Sequence, residues 1–422
     1  MAERKRNESS APGRESARRT AAARASAGQA GAQRALRVLY ITPQPFFEWR
    51  GSPIRVSYAV RALAELGYEV DLLSLPVGAD RQIEGVTLHR AANWFGIRRV
   101  SIGPSLKKAF LDLFLSFKAL RMARKNRYAV IHGVEEAGAM AVVVAWLSGG
   151  RAIFEKHSDP SSYRQGPLRN MVLWLYSKVE RFSIRRASAV IATGPGLVEQ
   201  ARRVGPKGTV CHIFDIPSSL VEADSERTAR VRRRLQAGST NKLALYVGSF
   251  AVYQGIDLLF ESIPLVVSKS PEARFVIIGG TAQQIEERGE WLAERGSDQA
   301  VEFVGTIDPD LLPDYLAAAD LLLSPRIAGT NTPLKILDYL KAGRAIVAVG
   351  SDANRLILDE KIALLTAPAS APFAAAIAEL LDDDQRRERL AANGRRLIEE
   401  RYNFTEFKRL MGCCYDEVLE VK

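Results

Sequence analysis

From residue 36 onward, short apolar runs alternate with amphipathic stretches. LRVLYIT, residues 36–42, is an unbroken apolar run of strand length, the pattern of a strand buried on both faces. A loop, PQPFFEWRG, leads into SPIRVSYAVRALAELG, where Val56, Val60 and Leu63 recur at helical spacing. Ser52 is placed to cap this helix, Pro53 to open it and Gly67 to end it. YEVDLLSLP is the next strand, so the chain opens with a strand–helix–strand unit.

The alternation continues. SLKKAFLDLFLSFKALRMARKN predicts a helix, with Leu106, Phe110, Leu113, Phe117 and Leu120 as the stripe that packs on the sheet. YAVIHGV, RAIFEKH and SAVIAT read as strands, with EEAGAMAVVVAWLSGG and PLRNMVLWLYSKVERFSIRRA as the helices between them. Regularity lapses over residues 214–226, and a second series follows: KLALYVGSF, RFVIIGG, VEFVGT, DLLLSP and AIVAV as strands, with helices interposed. The pattern predicts an α/β chain of two doubly wound parallel-sheet domains facing across a cleft. The expected divisions are a tail at 1–35, a first domain at 36–216, a second at 217–400, and a helix at 401–422 that returns to the first domain.

Composition adds bounds. The chain has 422 residues, beyond one ordinary core. Three cysteines and four histidines offer neither a disulfide framework nor metal-ligand spacing, so no metal or other cofactor is expected. No run approaches the ~20 apolar residues of a membrane-spanning helix, and the start lacks a secretory apolar segment, so the expectation is a cytoplasmic protein. The net charge is +11, and the first 34 residues carry eight basic side chains against three acidic ones. That tail, rich in Ala, Ser, Gly and Arg, reads as disordered. The remaining excess suits polyanions: phosphorylated substrates or an anionic membrane face. Specific nucleic-acid binding has no motif or aromatic support.

In doubly wound sheets, ligands bind where strand ends run into helix N-termini. Two such loops share one chemistry. One ends in Gly51-Ser52-Pro53, and the other holds Gly329-Thr330-Asn331-Thr332-Pro333. In each, glycine permits close approach, a hydroxyl residue is the expected cap, and free amides beyond it form an anion site; ordinary capping explains each loop equally well. With Thr332 as cap, Lys335 stands at the third helical position, an unfavourable place for a cation unless an anion lies there. A diphosphate would satisfy both, with Asp338 one turn on positioned for ribose hydroxyls; a surface pair of Lys335 with Asp338 is the plainer alternative.

The segment VGTIDPDLLPDYLAAADLLLSPRIAGTNTPLKILDYLKAGRAIVA resembles the donor-binding region of retaining GT-B glycosyltransferases of family 4. LYVGSFAVYQGIDLLFESIPLV resembles the opening of their second domain. LRVLYITPQPFFEWRGSPIRVSYAVRALAELGYEVDLLS, SIGPSLKKAFLD and YAVIHGVEEAGAMAVVVAWLSGGRAIFEKHSDP resemble parts of their first. The resemblance implies two Rossmann-like domains, a nucleotide-sugar donor on the second, and a saccharide or lipid-linked acceptor on the first. His157 matches the family's active-site histidine, and Asp159 is positioned to orient it or to touch acceptor. His132 ends a strand on the same edge as a weaker candidate. Donor contacts are expected from Gly51, Ser52, Gly248, Ser249, Gln254, Gly279, Thr306, Thr330, Asn331, Thr332 and Asp338; Lys335 and Arg326 answer the leaving diphosphate. Arg50, Asp159 and Glu135 fall on the acceptor side.

Three positions lose the charge of the family pattern. In its E-x7-E motif Thr330 replaces a carboxylate while Asp338 keeps one, and its basic pair falls on the neutral Ser249 and Gln254. Those departures keep open a non-catalytic sugar-nucleotide scaffold. Another GT-B enzyme, such as a sugar-nucleotide epimerase, would need carboxylates near the sugar. In the family, the leaving phosphate is thought to help deprotonate the acceptor on the same face, giving retention. Lys107, Lys108, Lys118, Arg121, Arg124 and Lys125 flank the apolar stripe of the first long helix. They read as a solvated face or as contact with anionic lipid, where envelope polysaccharide or glycolipid acceptors are met.

Overall fold

The computed structural model describes residues 35–49, 51–94, 96–97, 100, 106–159, 167–236, 241–329 and 332–420. The basic tail lies outside them. The first sheet contains β1 (Arg37–Thr42), β2 (Glu69–Ser74), β3 (Val86–Arg90), β4 (Val130–Val134), β5 (Arg151–Lys156), β6 (Ala189–Ala192) and β7 (Thr209–His212). Its helices are α1 (Gly51–Glu65), α2 (Leu106–Lys125), α3 (Ala137–Ser148), α4 (Pro167–Arg186) and α5 (Pro195–Val204). The second half begins with α6 (Ser225–Gln236). It continues through β8 (Lys242–Val247), α7 (Ile256–Val267), β9 (Ala273–Ile278), α8 (Ala282–Ala293), β10 (Val301–Gly305), α9 (Leu312–Ala318) and β11 (Leu321–Ser324). Then come α10 (Leu334–Lys341), β12 (Ala345–Val349), α11 (Asp352–Arg355), β13 (Leu364–Thr366), α12 (Ser370–Asp382), α13 (Asp384–Glu400) and α14 (Phe404–Glu420).

The strand orders are β3-β2-β1-β4-β5-β6-β7 and β10-β9-β8-β11-β12-β13, and the named strands pair in parallel. Each order reverses between its first and fourth strands. The loops after β1 and β4, and after β8 and β11, therefore open at the two switch points. Alternate residues of β1 serve opposite faces. Val38 and Tyr40 join the core under α1, whereas Leu39 and Ile41 join the core under α2 and α3.

The stripe expected on α2 is turned the other way. Leu111, Leu115, Ala119 and Ala123 are buried, while Phe110, Leu113 and Phe117 face outward. Ala119 and Ala123, the smaller side chains, let α2 lie close to the sheet. The chain after α13 breaks at Asn403, whose side-chain oxygen accepts from the Glu406 amide (2.9 Å). α14 then packs on α1 and reaches β7. There the Cys211 thiol donates to Cys414 Sγ (2.8 Å), and Tyr415 Oη lies 2.8 Å from His132 Nδ1. One apolar cluster runs from the first sheet through Ile213, Phe214 and Ile216 to α10 and the second sheet.

Candidate functional site

α1 and α10 start at the two switch points and bring their amino ends together: a Cβ built on Gly51 would stand 3.3 Å from Leu334 Cδ1. Neither helix carries an acidic side chain in its first turn. Their partial positive ends therefore remain available to an anion.

Both helix starts differ from the sequence expectation. α1 begins at Gly51, so Ser52 is already helical, and its hydroxyl bonds His157 Nδ1 instead of capping. α10 begins at Leu334, with Pro333 rather than Thr332 as the cap (φ −77°, ψ 106°). The Pro333 carbonyl accepts from the Ile336 amide at 2.9 Å, and no side-chain cap is made. Lys335 thus sits at the second helical position. Thr330, Asn331 and Arg50 lie outside the described residues.

Lys335 makes no surface pair with Asp338. Its ammonium bonds Gln254 Oε1 (2.9 Å) and the Val247 carbonyl (3.4 Å) and stands 4.5 Å from the Tyr246 ring centroid. Burial, reinforced by the like charge of Arg326, pushes its pKa down to about 7. Arg326 is buried, donates to the Ala328 carbonyl (2.9 Å) and lies against Gly329, on the loop that leads to α10. Two cations are thus held close together beside a helix amino end. The loop after β8 completes this side. A Cβ on Gly279 (φ 119°) would meet the Gly248 carbonyl oxygen at 2.1 Å, so these two loops touch backbone to backbone. Ser249 and Thr306 are exposed beyond them, and Thr332 is half-buried.

Asp338 is not turned to the cleft. Its oxygens accept from the Ser218 amide (2.6 Å) and hydroxyl (2.8 Å). The Ser218 carbonyl in turn accepts from Tyr58 of α1 (2.8 Å). The cause is that α10 is buried from Ile336 through Leu340, so its inner side meets the interdomain segment. Both Asp338 oxygens are thus taken up by the interdomain segment.

On the first domain, His157 follows β5 with both ring nitrogens directed into protein. Nδ1 bonds Ser52, and Nε2 lies 3.2 Å from Glu155 Oε1. Nε2 meets that carboxylate at ion-pair distance without making a hydrogen bond. Asp159 does not orient this ring; its Oδ2 accepts from Gln200 (2.7 Å). Glu135, held at φ 50°, turns back to accept from the His157 amide and the Ser158 hydroxyl, both at 3.0 Å, and from Tyr176 (3.1 Å). It braces the loop after β5. His132 is buried inside β4 between Tyr415 and Glu155, away from any cleft.

Sequence reasoning passed over Glu155, which is fully buried in β5. Its Oε1 accepts from Arg55 Nε (2.6 Å), and its Oε2 bonds Tyr40 and lies 3.0 Å from His132 Nε2. Burial pushes this carboxyl up, but Arg55, His157 and His132 outweigh that and hold it well below the usual range. A Glu-Lys pair closing the apolar run Ala152–Phe154 of a central strand was the available signal.

Residues 49–213 match the family model described as Glycosyltransferase Family 4, and residues 241–383 match that described as Glycosyl transferases group 1. The chain carries a Glycosyltransferase Family 4 region followed by a Glycosyl transferases group 1 region. It is 26% identical to alpha-D-kanosaminyltransferase of Streptomyces kanamyceticus over 63% of this chain and 66% of that enzyme. It is 27% identical to phosphatidyl-myo-inositol mannosyltransferase of Mycobacterium tuberculosis over 49% of this chain and 54% of that one. The matches to these curated relatives thus span about two thirds or less of their length. The fold is GT-B: Anabaena HepE, solved with UDP-glucose, superposes with a TM-score of 0.66 at 15% identity, covering 90% of this chain and 99% of that one.

Glu155→Gln leaves the buried Arg55 with Asp215 as its remaining charged partner. The expected loss is on the order of 3 kcal/mol of unfolding free energy by urea titration, partly regained when Arg55→Met is added. Asp338 answers to pH. Burial raises its carboxyl to about 6, against Ser218 bonds that favour ionisation. The folded chain therefore holds a proton that the unfolded chain releases near pH 4. Stability should fall as pH rises from about 4 to 6, by on the order of 2 kcal/mol, and Asp338→Asn should abolish that fall in urea titrations.

Proposed function

We propose that the protein transfers a sugar, with retention, from a nucleotide-diphosphate sugar to a saccharide or lipid-linked acceptor in cell-envelope polysaccharide or glycolipid synthesis. The observation that carries this is the pair of crowded cations, Lys335 and Arg326, beside the amino end of α10 at a switch point. Breaking a glycosyl–phosphate bond builds negative charge on the departing diphosphate. Fixed amides, the buried Arg326 and the half-buried Lys335 would stabilise that charge without rearranging. Because these groups answer it, the reaction is proposed to need no metal.

His157, Ser52 and Glu155 set the wall on the acceptor side. With Nδ1 held by Ser52 and the ring set against Glu155, His157 is proposed to position substrate. Deprotonation of the acceptor by the leaving phosphate on the same face, hence retention, is part of the proposal. HepE binding UDP-glucose in the same fold supports a nucleotide-sugar donor. The lipid substrate in the mannosyltransferase's name supports an acceptor met at the cytoplasmic face of an anionic membrane. Among the described residues, no helix is long and apolar enough to cross one.

The test is a thermal-shift panel of nucleoside diphosphates and their sugars, followed by turnover. Stabilisation by one base, and diphosphate release only when acceptor is present, are expected. Release without any acceptor dependence would defeat the transferase reading. Lys335→Met should weaken nucleoside-diphosphate affinity at least about tenfold, and an unchanged affinity would refute the phosphate assignment.

Lys335 also gives a pH signature. A bound diphosphate favours the ammonium form, which is only partly populated above pH 7 in the free protein. Binding should then take up a proton near pH 8, and affinity should fall as pH rises past 7. Calorimetry in buffers of different ionisation enthalpy reads this uptake directly, and Lys335→Met should remove it.

A further inference from the structure

We infer that the outer faces of α2, α3 and α4 form one docking surface for an anionic lipid bilayer. This rests on the proposal that the acceptor is met at a membrane. The three helices are neighbours on one side of the first sheet. On α2, Phe110, Leu113 and Phe117 stand 56–70% exposed, while a separate set of residues makes the core contacts. On α3, Val143, Trp146 and Leu147 are exposed at i, i+3 and i+4, and the helix carries no charged residue. On α4, Met171, Trp174 and Leu175 are each 60% exposed. Solitary exposed apolar side chains are ordinary, but rows of large ones on three adjacent helices are not.

Charge decides the occupant. The three helices carry eleven Lys and Arg against one Asp and one Glu. Glu180 pairs with the buried Lys156, and burial raises the Asp112 carboxyl to about 6. Arg121, Arg124 and Lys125 at the end of α2, and Lys178, Arg181, Arg185 and Arg186 on α4, are exposed. Two copies of such a face repel each other, whereas an anionic bilayer takes the tryptophan and phenylalanine rings at its interface and the cations at its phosphates. The surface also leads to the reaction site: Tyr176 of α4 bonds Glu135, which holds the His157 amide.

The test is co-sedimentation of the full chain with vesicles of phosphatidylcholine, alone or mixed with phosphatidylglycerol. Wild type should bind the mixed vesicles at least about tenfold more tightly than the neutral ones, with binding weakened by salt. The variants are Phe117→Ser/Trp146→Ser/Trp174→Ser and Arg181→Glu/Arg185→Glu/Arg186→Glu. Each should lose about tenfold or more of that binding while keeping the nucleotide-induced thermal shift, which shows that the fold and the donor site persist. Equal binding to both vesicles, unchanged binding by both variants, or a dimer in solution that the triple serine variant dissociates would overturn the docking surface. Lys335→Met should lose the nucleotide shift and keep vesicle binding, whereas a wild-type chain that binds the mixed vesicles and shows no nucleotide shift would count against the donor site alone.

Discussion

The buried pair of Arg55 and Glu155 is the constraint on which the rest of the structure depends. Removing two charges from water is costly and is repaid only if nearly every remaining lone pair and proton finds a partner. Here all three guanidinium nitrogens are engaged, by Glu155, by the Ile213 and Phe214 carbonyls (2.8 and 2.9 Å) and by Asp215 (3.0 Å). The carboxylate meets Tyr40, His132 and His157 in addition. One ion pair therefore ties α1, β1, β4, β5, the interdomain segment and, through His132 and Tyr415, α14. The wall of the cleft and the start of the hinge are set by the same carboxylate. A shift of the hinge cannot leave His157 where it was unless this network is rebuilt.

Much of the architecture was legible because central parallel strands are buried on both faces. RVLYIT and AIVAV can hardly be anything else once flanked by turns. The short strands β3, β7 and β13 escaped notice because their sides are half-exposed and their sequences mixed. α2 was misoriented for a different reason. It has two apolar stripes, and size favours the one with phenylalanines. Packing chose the other, since Ala119 and Ala123 allow a closer approach than Phe117 would. Spacing cannot distinguish two stripes; only the surface opposite them can.

The candidate site was legible at its loops and not at its contacts. Gly51 and the loop before α10 do fall at the switch points. Which way each polar side chain turned was decided by tertiary demand. Ser52 had a better partner in His157 than in its own helix, and Asp338 found two donors on Ser218. Such bonds run between residues more than a hundred positions apart, so nothing local announces them.

Lys335 shows how the two levels meet. A cation in a first helical turn contradicts the helix dipole, and burial beside Arg326 contradicts the cost of desolvation. Its two hydrogen-bond partners, Gln254 and the Val247 carbonyl, are neutral, so they do not return that cost in charge. Local rules broken twice at one residue, without an evident gain to the fold, mark a place where stability is given up for something else. An anion entering there would reverse both penalties at once: it complements the helix end and raises the ammonium back toward its charged form. Under the proposed function, the same electrostatics that burden the free protein would supply binding energy for a diphosphate, and would do so more strongly as that group gains charge in leaving.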